Sequence, residues 1–145
     1  MSSAPPVTVT VKRRFAAPPE QVFDAWLEPK QVAQWMFGPS VRDEEIVRIE
    51  IDPRVGGSFS FVVRRQGQEI DHVGEYLEID RPRRLAFTWA VGARSPDDTH
   101  VIIDLAPLGA GCELVLRHER VWADYAARTA QGWTTMLDAA ARLLG

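Results

Sequence analysis

Residues 124–144 read DYAARTAQGWTTMLDAAARLL, with apolar side chains at helical spacing. On a helical net Thr129, Trp133, Met136, Leu137, Ala140 and Leu144 form one stripe, while Arg128, Gln131, Thr135, Asp138 and Arg142 fall on the opposite side. Asp124 suits the N-cap, because its carboxylate can accept from the first free amides of the helix. At about 1.5 Å per residue such a helix is about 30 Å long and needs a broad apolar surface against which to bury its stripe.

The preceding residues supply that surface as strands. Val7-Thr8-Val9-Thr10-Val11 alternates apolar and hydroxyl side chains, the period of a half-buried strand. Pro18-Pro19-Glu20 then opens a short helix carrying Val22, Phe23, Trp26 and Leu27, which Pro29 is expected to end. A second short helix is predicted over about Lys30 to Met36. Between Glu44 and Val121 six strands are separated by turn signals: Asp52-Pro53, Gly56-Gly57, Gln66-Gly67, Asp80-Arg81-Pro82, Ser95-Pro96-Asp97-Asp98 and Leu108-Gly109-Ala110-Gly111. Phe59, Phe61 and Val63 share one face of their strand, as do Leu85, Phe87 and Trp89, then Val101, Ile103 and Leu105, then Leu114, Leu116 and His118. Connections this short require antiparallel pairing. The fold class is therefore α+β: a curved antiparallel sheet of about seven strands wrapped around a long C-terminal helix.

Composition excludes several functions. The chain has 145 residues, 46% hydrophobic and 26% charged, and a net charge of −3, so it offers no broad positive field for nucleic acid. Its apolar runs are strand-sized and its start, Met1-Ser2-Ser3-Ala4-Pro5-Pro6, lacks a secretory pattern, so no membrane association and a cytoplasmic location are expected. The single cysteine, Cys112, allows no internal disulfide. Without His-x-His, His-Glu-x-x-His or a second cysteine, neither a metal nor any other cofactor is expected. A Cys112–His118 nucleophilic pair is excluded, because six residues along a strand span about 20 Å. Gly56-Gly57 leads into a strand, not a helix, and reads as a turn.

The element order resembles the helix-grip fold of the START-like (SRPBCC) superfamily. Phe23-Asp24-Ala25-Trp26 with Pro29, Gln34-Trp35, Val55-Gly56-Gly57-Ser58-Phe59, the Gly74–Pro82 run, Leu85-Ala86-Phe87-Thr88-Trp89 and Gly132-Trp133 together resemble the family of homologues of the activator of the 90-kilodalton heat-shock protein's ATPase. The resemblance implies one START-like domain over residues 1–145, with residues 1–6 a flexible leader. It also implies a cavity between sheet and helix in many members, and co-chaperone or stress-response activity in a few. The chaperone-binding domain that precedes this one in those co-chaperones is not expected here.

The expected function is non-enzymatic binding of an apolar or aromatic small molecule under the final helix. Phe59, Phe61, Tyr76, Phe87, Trp89, Trp133 and Met136 are the expected walls, and the same rings could alternatively fill a closed core. Trp35 and Phe37, just before Gly38-Pro39, are placed at the mouth, with a cap on the sheet as the alternative. His72 and His118 share the inward parity and are the candidates for orienting a ligand, or else are hydrogen-bonded core histidines. No catalytic residue is assigned. Two rivals stand beside this reading: a chaperone or other protein partner docking on the outer surface, at Lys12-Arg13-Arg14, Arg64-Arg65 or Arg81–Arg84, and a cyclase or hydrolase using His72, His118 or Tyr76 as acid or base. The chain is expected to be a monomer or homodimer.

Overall fold

The computed structural model describes residues 6–38, 41–93 and 98–144. The expected leader (apart from Pro6), Pro39 of the Gly38-Pro39 turn and all but Asp98 of the Ser95-Pro96-Asp97-Asp98 turn lie outside them. Seven strands form one antiparallel sheet: β1 (Val7–Phe15), β2 (Glu45–Ile51), β3 (Ser58–Arg65), β4 (Gln68–Asp80), β5 (Arg84–Val91), β6 (Thr99–Leu108) and β7 (Gly111–Val121). Their order across the sheet is β1-β7-β6-β5-β4-β3-β2, so six successive strands run as hairpins and β1 closes against the last. This is the curved sheet and long C-terminal helix of the helix-grip fold.

Three helices complete the chain: α1 (Pro19–Asp24), α2 (Pro29–Trp35) and α3 (Ala126–Leu144). α3 lies along β1 and against α2, and α2 packs on β2, so the helices bridge the two edge strands. Pro29 begins α2 instead of ending α1, which stops at Asp24. Both roles use the same property, because proline's fixed φ and missing N–H suit the first helical turn. Asp124 is likewise not the N-cap of α3. It sits within a 3₁₀ turn, Ala123–Tyr125, and the α-helix starts two residues later than its sequence suggests.

Parity along the strands follows the alternation except where bulges intervene. The β4–β5 register shifts between Tyr76 and Glu78, leaving Leu77 exposed and turning Ile79 back toward Leu85 in the core. Gly74 is required by close approach: a Cβ there would lie 2.0 Å from the Thr88 carbonyl oxygen and 2.4 Å from the Phe59 ring. The Phe59 ring thus sits close against the Gly74 backbone, within the aromatic core.

Candidate functional site

The interior divides into a packed half and an open end. Trp26, Met36, Phe59, Phe61, Tyr76 and Phe87 surround a void of only about 10 Å³, at most the room of one water molecule. Phe59 and Phe61 stack at 4.7 Å, and Phe87 meets Phe59 edge-on at 5.5 Å. Trp35 and Phe37 are fully buried and do not stand at a mouth. The Trp35 indole meets Trp26 edge-on at 4.6 Å and donates to the Ala25 carbonyl at 2.9 Å, while Phe37 packs on Phe61 and His72. Four of the expected walls, Phe59, Phe61, Tyr76 and Phe87, and both expected mouth residues, Trp35 and Phe37, are therefore core filling. The aromatics of α1, α2 and the turn after α2 occupy the space in which a ligand was expected.

The three remaining walls, Trp89, Trp133 and Met136, and the two expected orienting residues, His72 and His118, come together at the opposite end, around an opening of about 550 Å³ between α3 and the ends of β3, β4, β5 and β7. Trp89 stands between the two halves, 5.9 Å from Phe59 on one side and 5.6 Å from Trp133 on the other. A second recess of about 720 Å³ shares Trp89, Val91, His118 and Thr129 and continues outward to Trp122 and Tyr125, which are about half exposed.

Helical geometry explains the opening. Trp133, Leu137 and Ala140 point into the sheet, whereas Arg128, Gly132 and Thr135 lie on the neighbouring flank of α3 and border the cleft. Arg128 and Thr135 thus belong to the site, not to the solvent side to which the stripe assigned them. A Cβ on Gly132 would meet nothing within 4 Å. A mid-helix glycine costs roughly 1 kcal/mol relative to alanine, and here it leaves the cleft wall without a side chain.

The two histidines play different parts. His118 is held at both ring nitrogens: Nδ1 accepts from the Trp133 indole at 3.0 Å, and Nε2 is 2.7 Å from Thr99 Oγ1, which donates to the Trp89 carbonyl at 2.8 Å. Since Nδ1 is an acceptor, the proton is on Nε2 and the ring is neutral. Burial lowers its pKa to about 4. His118 therefore locks α3 to β5, β6 and β7 and has no nitrogen left for a substrate. His72 Nδ1 lies 3.0 Å from the Phe61 carbonyl, which can only accept, so Nε2 is the acceptor left facing the cleft. Burial lowers the His72 pKa as well. Tyr76 is buried away from the opening, and desolvation raises its pKa. Cys112 is also buried, and desolvation raises its thiol pKa.

Three arginines border the cleft: Arg42, Arg65 and Arg128. Arg65 was legible as an inward position, two residues beyond Val63 on β3, but its neighbour Arg64 made the pair look like a surface cluster. It makes two hydrogen bonds to Oε1 of Glu44, at 2.7 and 3.2 Å. The Glu44 side chain is fully buried, and its Oε2 accepts from the Gly38 amide at 2.9 Å. Elsewhere the basic clusters are matched locally: Arg13 with Asp138, Arg64 with Glu45 and Glu69, Arg81 with Asp24, and Arg84 with Asp104.

The sequence model of the family described as "Activator of Hsp90 ATPase homolog 1-like protein" matches residues 16–145. The chain belongs to this family. Solved structures similar to this family member include a Chromobacterium violaceum protein, 30% identical at a TM-score of 0.81, covering 94% of this chain and 96% of that one. The AHSA1 protein of Silicibacter pomeroyi is 25% identical at 0.79, covering 95% and 97%. CalU16 of Micromonospora echinospora is 25% identical at 0.68, covering 92% and 73%. No curated protein matches the chain. Among the described residues no helix is long and apolar enough to cross a membrane.

Proposed function

We propose that this family member is a small-molecule-binding domain whose site is the cleft beside α3, where a flat apolar or aromatic molecule lies against Trp89, Trp133 and Met136. One observation carries the reading: an opening of about 550 Å³, within the usual range for ligand pockets, has indole walls beside an aromatic core that is otherwise filled. The side-chain-free Gly132 and the unpartnered Nε2 of His72 support it, one providing room and the other an orienting acceptor. Co-chaperone-like docking is the second reading, favoured by the family and by the exposed Trp122 and Tyr125 beside the cleft.

A thermal-shift series with naphthalene, indole and fatty-chain compounds tests it. A ligand at a hundredfold excess over its Kd stabilises the folded state by about 2.7 kcal/mol, which is several degrees for a chain of this size. Gly132→Leu should fold at least as well as wild type and lose that shift, since the new side chain projects into the opening. If wild type responds to no compound, or Gly132→Leu responds fully, the cleft is not the binding site and docking becomes the better reading.

A further inference from the structure

The charges around the cleft carry its chemistry one step further. Arg42, Arg65 and Arg128 border it, and no aspartate or glutamate does among the described residues. Glu44 neutralises Arg65. Arg128 stacks over the Tyr125 ring at 5.7 Å, and the Arg42 guanidinium, unlike its backbone amide, which donates to the Gly38 carbonyl at 3.0 Å, makes no hydrogen bond or ion pair among the described residues. The cleft of an acidic protein, net charge −3, thus keeps two cations with no carboxylate in direct contact among the described residues. Arg42 is partly buried, and lost hydration outweighs the attraction of Glu44 and lowers its pKa. A guanidinium partly withdrawn from water ordinarily has an anionic partner, and its planar fork matches a carboxylate.

We propose that the natural ligand is an apolar carboxylate, with its hydrocarbon or aromatic body on Trp89, Trp133 and Met136 and its carboxylate paired with Arg42 at the rim. The assignment rests on the cleft being the binding site. It adds the ligand's charge and the residue that reads it. Arg65 serves less directly, because its charge is committed to Glu44. Arg128, on the α3 side of the opening, adds to the attraction for an anion.

A matched pair of probes tests this: 2-naphthoate and 2-naphthylmethanol, with affinities measured by quenching of tryptophan fluorescence. The carboxylate should bind wild type about tenfold more tightly than the alcohol, the usual margin of a charge-assisted pair. Arg42→Gln should abolish that preference while leaving the alcohol's affinity unchanged, and Arg64→Gln, on the outer face and paired with Glu45 and Glu69, should retain it. In wild type, raising salt from 50 to 500 mM should weaken the naphthoate alone, a readout independent of any variant's folding. Equal affinities for the two probes, or a preference that survives in Arg42→Gln, would overturn the carboxylate assignment and leave the cleft reading standing. Absence of binding by both probes would remove the cleft reading itself.

Discussion

Lowering the pH from 7 to 5 should destabilise the protein through His118 by an amount set by the ring's geometry. Folded, the ring is neutral, buried and hydrogen-bonded at both nitrogens, and its pKa is lowered to about 4. Unfolded, it titrates near the usual 6.5. Above pH 6.5 both states are neutral and the group contributes no pH dependence. Between about 6.5 and 4 the unfolded chain takes up a proton that the folded one does not, so stability falls as pH falls, by about 1.4 kcal/mol per unit once well inside the window. The loss from pH 7 to 5 is about 2 kcal/mol for His118, and His72 acts in the same direction. Urea titrations at several pH values measure it, with His118→Gln as the reference, because glutamine can accept from Trp133 and donate to Thr99 without titrating. The wild-type stability should fall about 2 kcal/mol further than the variant's over that range. Parallel curves for the two proteins would show that the ring is not held neutral by the Trp133–Thr99 arrangement.

Gly132→Ala should raise stability by roughly 0.5–1 kcal/mol, visible as a few degrees in Tm, because the added methyl group meets nothing and the helix gains propensity. Glu44→Ala should cost about 2–3 kcal/mol in chemical denaturation, since it strands the Gly38 amide and an arginine that is about one-third exposed. Gly74→Ala should cost about 3 kcal/mol or more, because the new methyl group collides with the Thr88 carbonyl and the Phe59 ring. A Gly74→Ala protein as stable as wild type would mean that β4 and β5 can part there freely.

Much of this architecture is legible in the sequence because it depends on period and spacing. Hairpin-length turns fix six antiparallel strands, and the stripe through Trp133, Leu137 and Ala140 fixes the gripped face of α3. The openness of the interior is not legible in the same way. Parity says which way Phe59, Tyr76 and Trp89 face, but whether the space in front of them is filled depends on Trp26, Trp35 and Phe37, which arrive from α1, α2 and their flanking turns. The arginines of the cleft were obscured for a different reason. Arg42 lies in a loop with no periodicity, and Arg128 sits on a helix flank that borders the stripe without belonging to it. Gly132 was more accessible, three residues after Thr129 and four before Met136, where a missing side chain on the apolar side marks unfilled space. Leu77 shows the limit of alternation, since one bulged residue reverses the facing of all that follows on β4.

The most direct test of the cleft uses the indole N–H resonances, assigned by single tryptophan-to-phenylalanine variants, during a titration with 2-naphthylmethanol. The Trp89 and Trp133 signals should move as the ligand binds, whereas Trp35, fully buried with its N–H on the Ala25 carbonyl, should stay in place. A ligand that raises Tm without moving Trp89 or Trp133, or that shifts Trp35 as far as either of them, would contradict a binding site in this cleft.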